Sequence, residues 1–513
     1  MHAVVIAGAG PTGLALACGL LAAGVPARLV DRATGPAGTS RALGLQPRGA
    51  EVLDRTGALG DLPQRSRPIG QVRAHVNGTL MARLDVGRGT KLVRKPGLLV
   101  SQAEIEAGLR HRLEKLGGQV EWGRELTGAD QDEKGVTVRL ADSPPLRADW
   151  LVGCDGAHSR VRKAAGIGFP GVPVVERFLL ADVRVTLPIP RDAVSVWLRG
   201  DQLLAAFPLP GTDVWRLMAP AAQQADNGPA ATSDVLDTLT GLLREHARVP
   251  FRTAEPLWTS TFRIHRRLAT RYRQGRVLLA GDSAHIHSPV GGQGMNTGLG
   301  DAENLAWKLA LVAAGRADHA LLDTYEAERR PLAQDVLETT SAMTRMIVGE
   351  SPLARVFRDR VGVPLMNRPV VQRAIWNQAS QLGISYRGGP LAGRSLPGRR
   401  PRPGDRVPDV LCTRNGEPTR LHAELGPHWA LLLPPASPAV PPAVPTPLPG
   451  GGDRWAETVH RKLGDTVTVL ATAGERGHPA MLVRPDAHLA WRGSTPAALD
   501  RWLADLLDHG HTR

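Results

Sequence analysis

Three stretches of this 513-residue chain carry residues whose types and spacing suit ligand chemistry. The first is Gly8-Ala9-Gly10-Pro11-Thr12-Gly13, which follows the β-branched run Val4-Val5-Ile6 and opens a small apolar stretch. Gly8 permits a tight turn, Gly10 lets the backbone approach a pyrophosphate, and Gly13 lets a helix close on a strand; the helix N-terminus adds N–H groups and a positive dipole. Asp31 lies 18 residues beyond Gly13, where a carboxylate can accept hydrogen bonds from a ribose diol. The second stretch runs from Asp155 to Arg162 and follows Trp150-Leu151-Val152, so it stands at the end of a strand, where ligands gather. Its Ser159 reads as a helix N-cap and not as a nucleophile, since no partnered base is visible. The third is Gly281-Asp282-Ser283-Ala284-His285 with Pro289 to Thr297 behind it. An Asp at a strand end can hold a polyol, and the three glycines Gly291, Gly292 and Gly294 lead backbone amides into a helix whose positive end can face an anion. His285 and His287 have no carboxylate or Cys at ligand spacing, so no metal is expected.

Holding such loops in place takes a βαβ unit, and the sequence supplies one. Val4–Ala7 reads as a buried strand, Pro11–Ala23 as a helix stopped by Gly24, and Ala27–Asp31 as a second strand. A helix over Ala103–Leu116 and strands at Val136–Leu140 and Trp150–Val152 continue the alternation. From about 173 to 267 the pattern changes to short strands punctuated by Pro188, Pro190, Pro208 and Pro210, as in an inserted sheet. Arg276–Ala280 resumes as a strand and Met295–Ala314 as a helix, with Leu299, Ala302, Ala306, Leu309 and Ala313 on one face; 318–380 reads as mostly helical. The Pro-, Gly- and Arg-rich stretch 388–408 reads as a linker to one more small domain, inside which Pro434–Gly452 reads as an extended loop.

Composition narrows the function classes. Length points to two or three domains, and 42% hydrophobic with 22% charged residues fits a folded, soluble chain. Cys18, Cys154 and Cys412 are odd in number and far apart, which excludes a disulfide framework and suits a reducing cytoplasm. A net charge of +14 raises the question of nucleic acid, but the 56 Arg and 7 Lys run through every segment and aromatics are only 4%, so no nucleic-acid partner is expected. The uncharged stretch 1–27 has no basic n-region and is interrupted by Pro and Gly, so neither a leader nor a membrane partner is expected.

In their order and separation the three segments resemble the group A FAD-dependent aromatic monooxygenases, the para-hydroxybenzoate hydroxylase type. Within that family the chain is most similar to the oxygenases that tailor aromatic polyketides and to those acting on rifampicin. The resemblance spans essentially the whole chain, including GRVLLAGDSAHIHSPVGGQGMNTGLGDAENLAWKLA, LLDTYEAERRP and LVRPDAHLAWR. It implies an α/β fold with a Rossmann-like FAD-binding domain in two parts, 1–172 and 268–400, the second including a helical linker. An inserted β-sheet substrate domain at 173–267 and a thioredoxin-like domain at 401–513 complete it. No CxxC occurs, so dithiol chemistry is not expected of that last domain.

The same resemblance implies roles for single residues. Gly8, Gly10, Pro11, Thr12 and Gly13 would hold the FAD pyrophosphate, and Asp31 with Arg32 the adenosine ribose; Asp31 stands where most relatives carry Glu. Arg41 and Gln102 match FAD-contacting positions, Asp155 would serve FAD and pyridine nucleotide, and Asp282 would bind the ribityl chain. Pro289, Gly292, Gly294, Met295 and Asn296 would line the isoalloxazine. NAD(P)H would reduce FAD, O2 would add, and a flavin C4a-hydroperoxide would hydroxylate a polycyclic aromatic substrate, with no catalytic side chain nominated because the cofactor carries the chemistry. A Baeyer–Villiger oxygenase or a flavoprotein with a non-catalytic binding role are the alternatives, and the chain is expected to be a monomer or homodimer.

Overall fold

Val4, Val5 and Ile6 are fully buried because strand β1 (His2–Ala7) runs through the middle of a sheet with parallel neighbours on both sides. The computed structural model describes residues 2–38, 42–86, 95–211, 213–221, 232–247, 255–287, 292–348, 351–392, 401–434, 452–472 and 479–508. From β1 the chain turns into helix α1 (Pro11–Ala22), ends it at Gly24 with φ +77°, and returns as β2 (Ala27–Val30). On the other side of β1 lie β3 (Leu146–Gly153) and then β4 (Val277–Leu279), all parallel. This order brings the C-terminal ends of β1, β3 and β4, and so all three sequence motifs, to one edge. Helix α1 packs on the helix Gln102–Lys115 and on α3 (Gly294–Ala313). It comes close to α3 because a Cβ on Gly19 would stand 2.8 Å from that of Ala306.

A second, eight-stranded sheet is wider than the inserted segment. Gln71–Val76 and Thr79–Asp85 supply two of its strands, through parallel pairing of Gln71–Val76 with Ala193–Arg199. One face is sealed by the helix Thr232–Ala247, whose Val235, Leu239 and Leu243 cover Leu179, Ala181, Trp197, Leu204, Trp215 and Leu217. Alternation puts Phe178, Leu180, Val196, Phe207 and Met218 on the other face, where Phe178 stacks on Phe262 at 5.9 Å. At its edge, Arg267 and Leu268 pair with Ile286 and His285, which ties this sheet to the segment after Asp282.

The last domain is a six-stranded sheet built around the parallel pair Trp429–Leu433 and Val467–Thr472, with the helices Gly452–Leu463 and Pro496–Asp508, as expected of a thioredoxin-like unit. It shares its core with the first domain: Trp429 meets Trp307 of α3 edge-on at 5.1 Å. The end of the stretch read as a linker is not a spacer. Gly404 exchanges backbone hydrogen bonds with Tyr386 and Leu489, and Arg406 is buried against Glu51 of α2 (Pro47–Thr56). Residues 393–400 of that stretch and the Pro-rich 435–451 lie outside the described residues. Among the described residues no helix is long and apolar enough to cross a membrane.

Candidate cofactor and active site

Glycines bring the three motifs into contact. A Cβ on Gly8, whose φ is +105°, would strike Cys154 O at 2.3 Å and Asp155 N at 2.8 Å, and one on Gly13 would strike Gly8 O at 1.9 Å. A Cβ on Gly281, at φ +63°, would meet Thr12 Oγ1 at 2.6 Å, so the Asp282 turn rests on the first turn of α1. Gly10 differs: its Cβ would enter open space. No side chain caps α1 or α3, whereas Ser101 and Ser159 cap their helices. Free amides, open space above Gly10 and a positive helix end fit a dinucleotide pyrophosphate.

Asp31 is half-buried and accepts from Ala9 N at 2.7 Å and Ala33 N at 2.8 Å. The short acid therefore closes the glycine loop, and its remaining lone pairs are free for a diol. Arg32 beside it is exposed. Gln102 donates to Glu106 at 2.7 Å, and burial with the nearby Asp31 charge pushes the Glu106 carboxyl up. Asp155 accepts from Ser159 Oγ at 2.5 Å, Arg160 N at 2.7 Å and Val161 N at 3.1 Å, so it caps the helix Arg160–Ala164 together with Ser159. Arg162 from that helix, stacked on Phe169 at 3.8 Å, donates to Ser283 O at 2.8 Å.

Asp282 is exposed between two buried neighbours, Gly281 and Ser283. Ser283 Oγ donates to Gly153 O at 2.5 Å, and Gly281 N donates to Asp301 Oδ2 at 3.0 Å. Asp301 also meets His285 Nε2 and Arg329 Nε, each at 2.7 Å. Burial alone would raise the Asp301 carboxyl, but Arg329 and His285 outweigh it and hold it below the usual carboxylate range. Further on, Asn296 accepts from Gln46 N at 2.9 Å and donates to Gly44 O at 3.2 Å and Gly292 O at 2.9 Å, which fixes the loop entering α3. Gly292 has φ +61°, and Gly294 and Met295 are half-buried beside it.

Of the expected site residues, Gly8, Gly10, Pro11, Thr12, Gly13, Asp31, Asp155 and Asp282 come together, and Gly292, Gly294, Met295 and Asn296 form the start of α3. Arg41 and Pro289 lie outside the described residues. Among the described residues no three His, Cys, Asp or Glu side chains are placed to hold a metal ion. Asp301 and Arg329 were not among the expected residues. A signal for them exists in Asp301, Asn304 and Lys308, spaced i, i+3, i+7 on α3 and all fully buried, since polar residues on such a stripe call for buried partners.

Residues 1–340 match the FAD binding domain family, and residues 400–509 match the aromatic-ring hydroxylase C-terminal family. The chain belongs to the FAD-dependent aromatic-ring monooxygenases. It is 36% identical to rifampicin monooxygenase of Streptomyces venezuelae over 96% of each chain. It is 35% identical to the 12-dehydrotetracycline 5-monooxygenase/anhydrotetracycline 6-monooxygenase of Streptomyces rimosus, over 97% of this chain and 96% of that one. Among solved structures it is similar to the anhydrotetracycline hydroxylase from Streptomyces rimosus (33% identity, TM-score 0.76, all of both chains). Aklavinone-11 hydroxylase, solved with FAD and aklavinone, gives 27% identity and a TM-score of 0.79 over 99% of this chain and 100% of that one. FAD is thus the cofactor of this monooxygenase, and the expected family and fold class hold.

Proposed function

We propose that this monooxygenase hydroxylates a polycyclic aromatic of polyketide type, taking its electrons from NAD(P)H. The observation that carries this reading is the second sheet's other face, where Phe207, Met218 and Phe262 stay half-buried while the face beneath Thr232–Ala247 is sealed. A flat fused-ring molecule suits such a surface in shape and apolarity. Relatives named for rifampicin, anhydrotetracycline and aklavinone support the same choice.

FAD, when bound, accepts a hydride and activates O2 for transfer of one oxygen atom. The chain's own residues bind, orient and shield. Gly8, Gly10, Pro11, Thr12 and Gly13 with the free α1 amides would hold the pyrophosphate, and Asp31 and Arg32 the adenosine ribose. Arg41, Gln102 and Asp155 would add contacts, and Asp282 would take the ribityl hydroxyls. Pro289, Gly292, Gly294, Met295 and Asn296 would lie along the isoalloxazine, with the positive end of α3 stabilising negative charge there. The second sheet, at 173–267 with Gln71–Asp85, would cover the substrate and keep water out.

The test is a panel of polycyclic phenols and quinones with NADH or NADPH under 18O2. The expected result is substrate-stimulated oxidation of the nicotinamide and a phenolic product carrying one labelled oxygen. Unlabelled products throughout would overturn monooxygenation, and a labelled ester or lactone would assign a Baeyer–Villiger reaction instead.

A further inference from the structure

The last domain joins the cofactor motifs through charge as well as apolar packing. Arg484, in the segment Arg484-Pro485-Asp486, donates to Glu328 of α4 (Asp323–Val348) at 2.6 and 2.9 Å, and from Nε to Asp486 at 3.0 Å. Glu328 also accepts from Lys308 Nζ and Asn304 Nδ2 of α3, each at 2.8 Å. The Arg484 guanidinium lies 4.9 Å from the centroid of the Tyr386 ring, and His488 packs against that ring at 4.2 Å. The Tyr386 hydroxyl accepts from Arg329 Nη1 at 3.2 Å. Arg329 then reaches the cofactor end, donating from Nη2 to Thr297 O at 2.9 Å in the first turn of α3 and from Nε to Asp301, which holds the Gly281 N–H. None of these side chains is more than 4% exposed.

Adhesion alone does not require this arrangement. Packed apolar side chains join two domains as well as buried ion pairs do, because removing charges from water is costly and the attraction regained roughly balances it. Ion pairs with several hydrogen bonds add direction, since each fixes an angle as well as a distance.

We propose that Arg484 is a positioning residue for the flavin site. Through Glu328, Tyr386 and Arg329 it fixes the start of α3 and the Asp282 turn, so the last domain is part of the cofactor site. The inference rests on the assignment of that turn and helix end to FAD.

The test is titration of FAD into the full-length apoprotein, read by flavin fluorescence, together with visible circular dichroism of the bound flavin. Arg484→Met is expected to raise the Kd for FAD about tenfold and to change the flavin dichroism, with partial recovery in Arg484→Lys. Tyr386→Phe, which removes one hydroxyl, is expected to raise Kd about threefold. Leu507→Ala loosens the same interface beyond the C-terminal end of α3, where Leu507 is buried in the shared core and its carbonyl accepts from Asp318 N at 3.0 Å; it should lower thermal stability and leave Kd within about twofold of wild type. Equal weakening by Arg484→Met and Leu507→Ala, or no change in either, would overturn the proposal. If Arg484→Met does not fold, Tyr386→Phe decides, and wild-type Kd and dichroism in that variant overturn it. Retention of FAD by Asp282→Ala would instead remove the site assignment on which the inference stands.

Discussion

Asp282 projects into solvent from a turn whose other members are buried, so its carboxylate is presented by backbone that Ser283, Asp301 and Thr12 hold from three sides. Removing the carboxylate should leave the turn intact and take away charged hydrogen bonds, each worth about 1.5–3 kcal/mol. Asp282→Ala is therefore expected to elute from a desalting column with less than about a tenth of the wild-type flavin, with unchanged far-UV dichroism. Cys412 illustrates the contrary case. Burial, with Glu424 and Asp409 nearby, pushes its thiol up to about 11, so it stays protonated at neutral pH and behaves as a small core residue. The tight turn at Gly8 and the strand-end places of Asp31, Asp155 and Asp282 were legible because each follows a short apolar strand within a few residues. Asp301 and Arg329 were not, because each finds its partner only after α3 and α4 pack together.

At the scale of elements, the helices that were expected were legible nearly to their ends, as Met295–Ala314 was expected and Gly294–Ala313 is found, whereas Pro47–Thr56 and Thr232–Ala247, the latter inside the stretch read as strands and turns, were not expected. Sheet membership was not legible. Gln71–Val76 joins the second sheet by pairing with Ala193–Arg199, more than a hundred residues away, and alternation within a strand does not name its neighbour. Helices α2 and α4 also carry acids whose titration can be followed. Burial would raise Glu51 and Glu328, but Arg406 outweighs it at the first, and Arg484 with Lys308 at the second, bringing both from 4.5 to about 2. A carboxylate depressed in the folded state contributes stability above its unfolded pKa and loses it as pH falls through the folded one. Both contributions should thus be complete above about pH 5 and fade between about pH 4.5 and 2. A melting series across that window should show Tm falling, with a shallower fall in Glu328→Gln; parallel slopes in the two proteins would contradict the assignment.

For the whole molecule, the sequence suggests a last domain hung on a linker, with a chain ending near Gly404 keeping some FAD affinity while its exposed apolar surface lowers its solubility. The structure gives both effects a size. Such a truncation leaves Glu51 without Arg406, Glu328 without Arg484, and Trp307 without its contact to Trp429. Breaking buried pairs one-sidedly costs several kcal/mol each, so the truncated chain is expected to be largely insoluble, and any soluble fraction to bind FAD at least about tenfold more weakly. Wild-type affinity in a soluble truncated chain would show that the first domain completes its site alone.

The pairing of Arg267 and Leu268 with Ile286 and His285 has a mechanical consequence. The wall that would receive a substrate and the turn that presents Asp282 are two ends of one hydrogen-bonded ribbon, so neither can tilt without dragging the other. A guest molecule that wedged the wall outward by a fraction of an ångström would thereby be felt at the turn that presents Asp282, much as a door pressed at its edge moves the pin in its hinge.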